Sequence, residues 1–264
     1  MKCKICGVEA DTFGSAVIRG RHTIRYFVCP DCRFVQTEPP HWLAEAYSQP
    51  ITSSDVGYVS RNLHLARITR ALIRAACNSN GRFVDYGGGY GLFVRLMRDS
   101  GFDFYRADKY CPNLFCGGFE AGESGSKKFD LLTAFEVFEH LEHPLAEIQT
   151  MLEYSDNVFF STELIADPPP PPDQWWYYGT DHGQHISLYS KRALQVLADK
   201  FNLQLRTNGR NLHWLGKNPP SRLAFNLFSR SKIAAMLDAF CRRDSLMPSD
   251  HQKILRDLNR HFTP

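Results

Sequence analysis

Two pairs of cysteines near the N-terminus constrain the fold of this chain more than any other feature. Cys3 and Cys6 form one C-x2-C pair, Cys29 and Cys32 form a second, and 22 residues separate the two pairs. Each pair lets two thiolates reach one ion from a tight turn, and two such turns complete a tetrahedral four-sulfur site. Because a segment of about 38 residues cannot bury enough apolar surface to fold alone, we expect bound zinc to supply its folding free energy. A closed four-thiolate site has no open coordination position, so this zinc would be structural.

The residues between the pairs predict a zinc ribbon. Ala16–Ile18 and Thr23–Val28 have the composition of a short β-hairpin, which residues 19–21 interrupt. Gly7, directly after the first pair, suits the positive φ angle that such turns often require. Two alternatives stay open: four unrelated thiols, and a redox role for one pair, which the lack of a following βαβ helix disfavours. The other four cysteines are scattered along the chain: Cys77, Cys111, Cys116 and Cys241.

The composition narrows the class of protein. The 264 residues are 43% hydrophobic and 22% charged, which is ordinary globular usage and excludes disordered and fibrous classes. No apolar run approaches the roughly 18–20 residues that cross a bilayer, and the charged start Met1–Lys4 lacks the apolar stretch of a secretory signal. We therefore expect a soluble, cytoplasmic protein with no membrane partner.

The positive charge is concentrated in the C-terminal part of the chain. The net charge is +3, and residues 216–264 contain nine lysines and arginines against four aspartates. A basic segment can contact nucleic acid, but this one contains no nucleic-acid-binding motif. Since a solvated helical face explains the same charge, we do not expect a nucleic-acid partner.

A glycine-rich segment in the middle of the chain predicts a nucleotide-type binding fold. Helical periodicity over Tyr58–Ser79 is followed by a strand at Arg82–Tyr86, a glycine-rich turn at 87–91 and a helix at Leu92–Ser100. A strand, a glycine loop and a helix are the opening of a doubly wound α/β fold.

Two carboxylates indicate which class of ligand this loop can bind. Asp85 stands before the loop, where it would repel a pyrophosphate but can accept hydrogen bonds from an ammonium group. Asp108 ends a second predicted strand, Phe102–Ala107, where an acid accepts hydrogen bonds from ribose hydroxyls. The glycine spacing also differs from the G-x-G-x-x-G of dinucleotide-binding folds. The ligand is therefore not expected to be a dinucleotide.

The segment resembles class I S-adenosylmethionine-dependent methyltransferases. Their D-x-G-x-G-x-G loop is matched by Asp85, Gly87, Gly89 and Gly91. The resemblance implies that the loop packs against the methionine portion of the cofactor and that Asp108 holds its ribose.

A second part of the resemblance is the segment Phe129–Leu141, which ends in E-V-x-E-H-L. The resemblance implies that three residues at the end of its strand line the cofactor site: Ala134, Phe135 and Glu136. It also places Phe119 beside the adenine. Both matches fall within about residues 60–210, in the order and spacing of the family.

Two further features of this segment bear on chemistry. Glu139 and His140 match no metal-binding motif, and we expect them to cap and solvate the next helix without a catalytic role. Ala134–Val137 stands where amino-group methyltransferases carry Asn/Asp-Pro-Pro-Tyr/Phe. This difference disfavours methylation of a nucleobase or of glutamine.

The substrate side of the fold is expected after a fifth strand, Asp156–Ser161, because ligands of such sheets sit beyond the carboxyl ends of the strands. Five prolines at 168–172 are followed by an aromatic and histidine-rich segment, Trp175–His185. This segment has the composition of a substrate lid or pocket wall. An aromatic plug over a sheet edge is the alternative.

Residues Trp175–Ser190 also resemble a subgroup of these methyltransferases that carries an N-terminal zinc module. Several relatives of similar layout methylate sugars, often nucleotide-linked ones, so a small-molecule acceptor is implied. The ligand set of this ribbon differs somewhat from theirs. For an acceptor that must lose a proton, histidine is the natural base near neutral pH. The candidate catalytic residues are His182 and His185, with Glu163 and Tyr178 as secondary candidates.

The predicted organisation has three parts. A zinc ribbon at 1–38 precedes a Rossmann-like methyltransferase domain at 39–217, and a helical extension occupies 218–264. A helix at Ser190–Phe201 and an antiparallel hairpin, Leu203–Arg206 with Leu212–Gly216, would complete the sheet.

The extension, with helical stretches that include Leu223–Phe228 and Ile254–Leu258, could pack on the ribbon, cap the pocket or mediate homodimerisation. Two other functions stay open: methylation of RNA or protein through the ribbon and the basic tail, and a non-catalytic cofactor-binding scaffold.

Overall fold

Two β-sheets organise the chain. In the computed structural model, residues 1–47 and 55–262 are described. One sheet has the order β1-β2-β3-β8 and pairs its strands antiparallel: β1 (Asp11–Ile18), β2 (His22–Val28), β3 (Val35–Thr37) and β8 (Ser187–Leu188). The other has the order β5-β4-β6-β7-β10-β9: β4 (Arg82–Tyr86), β5 (Asp103–Ala107), β6 (Leu131–Phe135), β7 (Asn157–Ser161), β9 (Gln204–Thr207) and β10 (Leu212–Gly216).

The six-stranded sheet has the topology of a doubly wound fold. Strand β4 pairs in parallel with β5 on one side and with β6 on the other, and β10 pairs antiparallel with β7 and β9. The strand order therefore reverses at β4, and ligands bind beyond the carboxyl ends of the strands at such a switch point. The predicted fold class and the predicted terminal hairpin are confirmed.

Eight helices connect or extend these strands in the described ranges: α1 (Leu43–Ala46), α2 (Tyr58–Ala76), α3 (Leu92–Asp99), α4 (Pro144–Tyr154), α5 (Lys191–Lys200), α6 (Arg222–Phe228), α7 (Ser231–Phe240) and α8 (Met247–Phe262). Most ends agree with the predicted ones within a few residues. Helix α5, for example, begins after Ser190, whose hydroxyl caps it by accepting from the Ala193 amide at 2.9 Å. Strand β1 is longer than the predicted Ala16–Ile18. In the parts of the chain that the structure describes, no helix has both the length and the apolar character to cross a membrane.

The chain divides into two units that are each discontinuous in sequence. Unit 1 comprises Met1–Asp55 and Ala134–Pro219, and unit 2 comprises Val56–Thr133 and Pro220–Pro264. The domain boundaries proposed after residues 38 and 217 stay predictions.

In unit 1, the cysteine-bearing hairpin and the aromatic segment share one hydrophobic core. Strand β8 pairs with β3, so the four-stranded sheet contains a strand from far along the chain. Tyr178 packs edge-on against Tyr26 of β2, with ring centroids 5.1 Å apart. The indole nitrogen of Trp42 donates to the Gly183 carbonyl at 2.8 Å. The cluster consists of eleven buried residues: Ile18, Ile24, Tyr26, Val35, Trp42, Ala46, Ile165, Tyr177, Tyr178, Ile186 and Leu188.

This core bears on the two interpretations of the aromatic segment. Tyr177 and Tyr178 are buried in it, as residues of an aromatic plug are, and the assignment of His182 and His185 to a substrate pocket stays a prediction. Trp176 differs, because 74% of it is exposed.

In unit 2, the C-terminal extension packs on helices α2 and α3. Arg70 of α2 makes a bidentate ion pair with Asp238 of α7 (Nε to Oδ1 2.7 Å). Arg98 of α3 makes a second with Asp250 of α8, at 2.8 and 2.7 Å, and both of these residues are buried. The extension thus packs on the helices of its own unit, and its expected roles in packing on the ribbon, capping the pocket or mediating homodimerisation stay predictions.

The Arg98–Asp250 pair generates a stability prediction. Replacing Asp250 by Asn leaves a buried guanidinium with Asp103 as its remaining carboxylate partner (2.6 Å). Removing one partner of a buried pair costs about 3–5 kcal/mol, and we expect the lower end here because Asp103 remains. Urea denaturation should show this loss. The matched control is Asp257→Asn on the same helix, which removes an exposed pair with Lys253 and should cost less than about 1 kcal/mol. Equal effects of both substitutions would contradict the prediction.

Candidate active site and metal centre

The glycine loop of unit 2 lies at the carboxyl end of β4. Gly87, Gly89 and Gly91 have φ angles of 67°, 54° and 87°. At Gly91 an added Cβ would also lie 2.4 Å from the sulfur of Cys116, so a larger residue is excluded both by conformation and by space. The spacing that matches the methyltransferase loop is therefore also the spacing of the left-handed backbone positions.

Asp108, the residue expected to hold a ribose, fixes this loop to the end of β5. One carboxylate oxygen accepts from the Gly89 amide at 2.9 Å, and the other accepts from the amides of Tyr110 and Cys111, both at 2.8 Å. A carboxylate has about four acceptor positions, so one remains for a ligand hydroxyl.

Arg106 of β5 stabilises the same loop through hydrogen bonds. It is buried, and its guanidinium donates to the carbonyls of Gly89 (2.5 Å) and Cys111 (3.1 Å) and to the Glu120 carboxylate (3.0 Å). Sequence reasoning missed this residue, because a buried arginine in a strand shows no local signal.

Asp85 is buried at the end of β4. Its Oδ1 accepts from the Thr133 hydroxyl at 2.6 Å. Burial raises its pKa to about 7, and the negative charge of Asp108 adds to this, although the hydrogen bond from Thr133 acts in the opposite direction. The site can therefore stabilise a bound cationic group, whose charge would favour the ionised carboxylate.

Phe119, the residue expected beside the adenine, has charged neighbours. The Arg98 guanidinium lies 3.8 Å from its ring centroid and the Lys253 ammonium 4.9 Å. The ring is buried. These cation–π contacts connect the ring to helices α3 and α8.

The second set of predicted residues lies at the end of β6. Ala134 is buried and Phe135 is half-buried. Glu136 has a φ of 54°, a strained conformation for a non-glycine residue, and its carboxylate accepts from the Ser161 hydroxyl at 2.5 Å. Its amide donates to the same hydroxyl oxygen at 2.9 Å. Strain of this kind concentrates at functional sites.

Glu139 and His140 do not cap or solvate a helix, contrary to expectation. Glu139 is 0% exposed, and burial raises its pKa to about 8, with the charge of Glu136 as the second cause. His140 Nδ1 lies 2.9 Å from the Tyr47 hydroxyl. The Ile186 amide donates to the Glu139 carbonyl at 2.9 Å, which holds this segment beside β8. The sequence signal was the succession of two acids and a histidine directly after a buried strand.

His182 and His185 are brought together in unit 1. Their ring centroids lie 4.7 Å apart, and the ring of His185 is also 5.0 Å from that of His140. His185 Nδ1 donates to the Tyr177 carbonyl at 2.6 Å. His182 Nδ1 accepts from the Gln184 amide at 3.1 Å, and burial lowers the pKa of His182. The Nδ1 atom of each imidazole is therefore engaged, as a donor in His185 and as an acceptor in His182.

The secondary candidates have other partners. Glu163 accepts from the Asn211 side-chain amide at 3.1 Å. The Tyr178 hydroxyl donates to the Pro170 carbonyl at 2.7 Å, and burial raises the pKa of this phenol.

The four cysteines of the two pairs converge in unit 1. Their sulfur atoms all lie within 4.8 Å of one another, with Cys3 and Cys32 sulfurs 3.6 Å apart and Cys6 and Cys29 sulfurs 3.3 Å apart. No disulfide joins them.

The two turns that carry the cysteine pairs have the same backbone conformation at the residue that follows each pair. The residue after each pair has a positive φ: 85° at Gly7, as predicted, and 61° at Arg33. Backbone amides of Ile5 and Cys32 donate to the sulfurs of Cys3 and Cys29, each at 3.4 Å. Amide donors and convergent sulfurs favour thiolates, so the donor set fits a tetrahedral thiolate-bound metal.

The sheet order, the glycine loop and the acidic residues at the ends of β4 and β5 define a Rossmann-like methyltransferase. A model of the methyltransferase domain family matches residues 59–208, and the chain belongs to this family. It is an S-adenosylmethionine-dependent methyltransferase.

Solved structures with a similar fold were also found. The chain is similar to the plantazolicin methyltransferase BpumL in complex with S-adenosylhomocysteine, at 14% identity over 66% of this chain and 93% of that chain, with a TM-score of 0.47. It is also similar to the 1,6-didemethyltoxoflavin-N1-methyltransferase of Burkholderia thailandensis, at 14% identity over 77% of this chain and 97% of that chain, with a TM-score of 0.46. No curated protein matched the sequence.

The buried Asp85 generates a pH prediction. The pKa of Asp85 is about 7 in the folded chain, against an ordinary value of 3.8. Between about pH 4 and pH 7 the folded chain therefore keeps a proton on this carboxyl that the unfolded chain has lost. The contribution to the free energy of unfolding is therefore present at low pH and is lost as the pH rises from about 4 to about 7. Thermal unfolding is measured for the wild type and for Asp85→Asn across this range. As the pH rises, the stability of the wild type should fall relative to that of the variant. Parallel curves would contradict the prediction.

Proposed function

We propose that this methyltransferase transfers the methyl group of S-adenosylmethionine to a small-molecule acceptor, with a hydroxyl of a sugar, free or nucleotide-linked, as the first class to test. The observation that carries the proposal is the set of carboxylates and imidazoles that follows the ends of β6 and β7: Glu136, Glu139, His140, His182 and His185. Such groups orient hydroxyls and assist their deprotonation. The absent Asn/Asp-Pro-Pro-Tyr/Phe sequence supports an acceptor other than an amino group.

Cofactor binding is assigned by resemblance and supported by loop geometry. In unit 2 the proposed cofactor residues are Asp85, Gly87, Gly89, Gly91 and Asp108, with Phe119 beside the adenine. In unit 1 they are Ala134, Phe135 and Glu136. The left-handed glycines let the backbone approach the ligand closely, and buried Asp85 suits a cationic amino group.

Methyl transfer is an in-line displacement at the sulfonium carbon. The chain must hold the acceptor oxygen about 3 Å from the methyl group and exclude water. In the proposal, His185 takes the proton of the acceptor at Nε2, and His182, whose Nδ1 accepts from the Gln184 amide, orients the acceptor by donating from Nε2–H.

The acceptor class can be tested directly. With S-adenosylhomocysteine present, nucleotide sugars and acidic small metabolites are screened for binding by calorimetry, and those that bind are incubated with labelled S-adenosylmethionine. Labelled product from a sugar-containing acceptor is the expected result. Label found only in added RNA or protein would overturn the small-molecule proposal, and absence of cofactor binding would overturn the catalytic one.

The histidines give a second prediction. His182→Ala and His185→Ala should each lower turnover by about 10²–10⁴ while the Kd for S-adenosylmethionine stays unchanged. His143→Ala is the control, since 76% of the His143 side chain is exposed. Near-normal turnover in both variants would remove the assignment.

We also propose that Cys3, Cys6, Cys29 and Cys32 hold structural zinc. This proposal rests on the sulfur cluster and its amide donors. Zinc would supply no catalytic step here, because four thiolates leave no coordination position open.

Metal removal tests the zinc proposal. Cys29→Ser should lose the thiolate-bound metal and unfold at a lower temperature, since the metal contributes directly to folding. The control is Cys241→Ser at an exposed cysteine outside the cluster, which should retain its metal. Metal content and thiolate-to-cobalt charge-transfer absorption after cobalt substitution measure the difference. Normal metal content in Cys29→Ser would contradict the proposal.

A further inference from the structure

A second group of side chains of the types that bind metals lies in unit 1, separate in its members from the four cysteines. One donor atom each from Glu139, His140 and His185 lies within 4.8 Å of the other two. Two neighbouring residues of the chain and a third from the aromatic segment thus converge on one point.

The carboxylate of Glu139 lacks what a buried carboxylate needs. Among the residues that the structure describes, neither of its oxygens has a hydrogen-bond partner. The hydroxyls of Thr162 and Tyr177 approach the carboxylate and act to lower its pKa, but they lie 3.2 Å apart and bond to each other. Burying a charge without a partner is costly, and the negative charge of Glu136 adds to the cost. A cation is the partner that would offset both.

The two imidazoles are oriented in the manner of metal ligands. His185 uses Nδ1–H to donate to the Tyr177 carbonyl at 2.6 Å, so its lone pair is at Nε2. His140 Nδ1 is 2.9 Å from the Tyr47 hydroxyl, which can accept its proton and leave Nε2 as the ligating nitrogen. Metal-bound histidines typically donate their other N–H to a carbonyl, carboxylate or water. His182 differs, because its Nδ1 lone pair accepts from the Gln184 amide.

We propose that Glu139, His140 and His185 bind one divalent transition-metal cation. Two imidazoles and a carboxylate suit manganese, iron, cobalt or zinc. Three protein ligands leave coordination positions open, in contrast to the closed four-cysteine cluster. An acceptor oxygen could occupy such a position; this use of the cation, unlike its binding, rests on the proposed function. It would assign His185 to the cation and leave His182 as the histidine that contacts the acceptor.

A protonated Glu139 without metal is the competing explanation. A neutral carboxyl would avoid the cost of a buried charge. It would not give the chain an affinity for a cation that depends on the two histidines. Cation binding therefore separates the two explanations without reference to methyl transfer.

The experiment uses the full chain with zinc already bound to the cysteines. Manganese is titrated in, and loss of the signal of free Mn²⁺ in electron paramagnetic resonance reports binding. Because Mn²⁺ prefers oxygen and nitrogen donors to thiolates, it reports on the second site. We expect one Mn²⁺ per chain.

Three substitutions test the ligands: Glu139→Gln, His140→Gln and His185→Gln. Each should weaken Mn²⁺ binding by more than about 100-fold, since even changes outside the ligands cost 10–100-fold. Tyr47→Phe, which keeps all three ligands, should weaken it by about 10–100-fold.

His143→Gln and His182→Gln are the matched controls and should bind as the wild type does. Circular dichroism and zinc content establish that each variant is folded. Absence of Mn²⁺ binding by the wild type at millimolar concentration, or unchanged affinity in Glu139→Gln and His140→Gln, would overturn the proposal. Failure of the acceptor screen with intact Mn²⁺ binding would overturn only the proposed function.

Discussion

The carboxylates that follow the parallel strands need partners, and the local structure of both units depends on how each one finds them. Asp85 accepts from Thr133, Asp108 accepts from three backbone amides, and Glu136 accepts from Ser161. Because buried polar groups are rarely left without partners, these contacts fix the conformation of the turns that carry them. Glu139 stands apart from this pattern, and for that reason it is the residue from which a ligand can be inferred.

The parts of the site that could be predicted from sequence are those encoded over a few residues. The cysteine pairs and the D-x-G-x-G-x-G loop have fixed local spacing, and the backbone angles at Gly7 and Gly91 follow from it. Burial of Glu139 could not be predicted in this way, because it depends on β8 and the aromatic segment, which lie about 40 residues further along the chain. The same limit applies to Tyr178, whose place in the core depends on Tyr26.

The ribbon and the histidine-bearing segment form one structural element of unit 1. The Ser190 hydroxyl donates to the Cys32 carbonyl at 2.6 Å and also caps α5. Trp42 holds Gly183, which is next to His182 and two residues from His185. Residues 32–42 and the histidine-bearing segment are therefore joined by hydrogen bonds and packing, without any ligand in common.

The interleaving of the two units has a consequence for the order in which the chain folds during synthesis. The cysteine-bearing hairpin leaves the ribosome before β8, whose residues are made about 150 positions later, so the four-stranded sheet is completed only then. Unit 2 waits longer still, since Asp250 completes the charge pair of Arg98. Partly synthesised chains thus expose apolar strands and hold Arg98 without its partner Asp250, and such intermediates are prone to aggregate. Nascent chains that stop before α8 are expected to depend on chaperones more than the finished protein does.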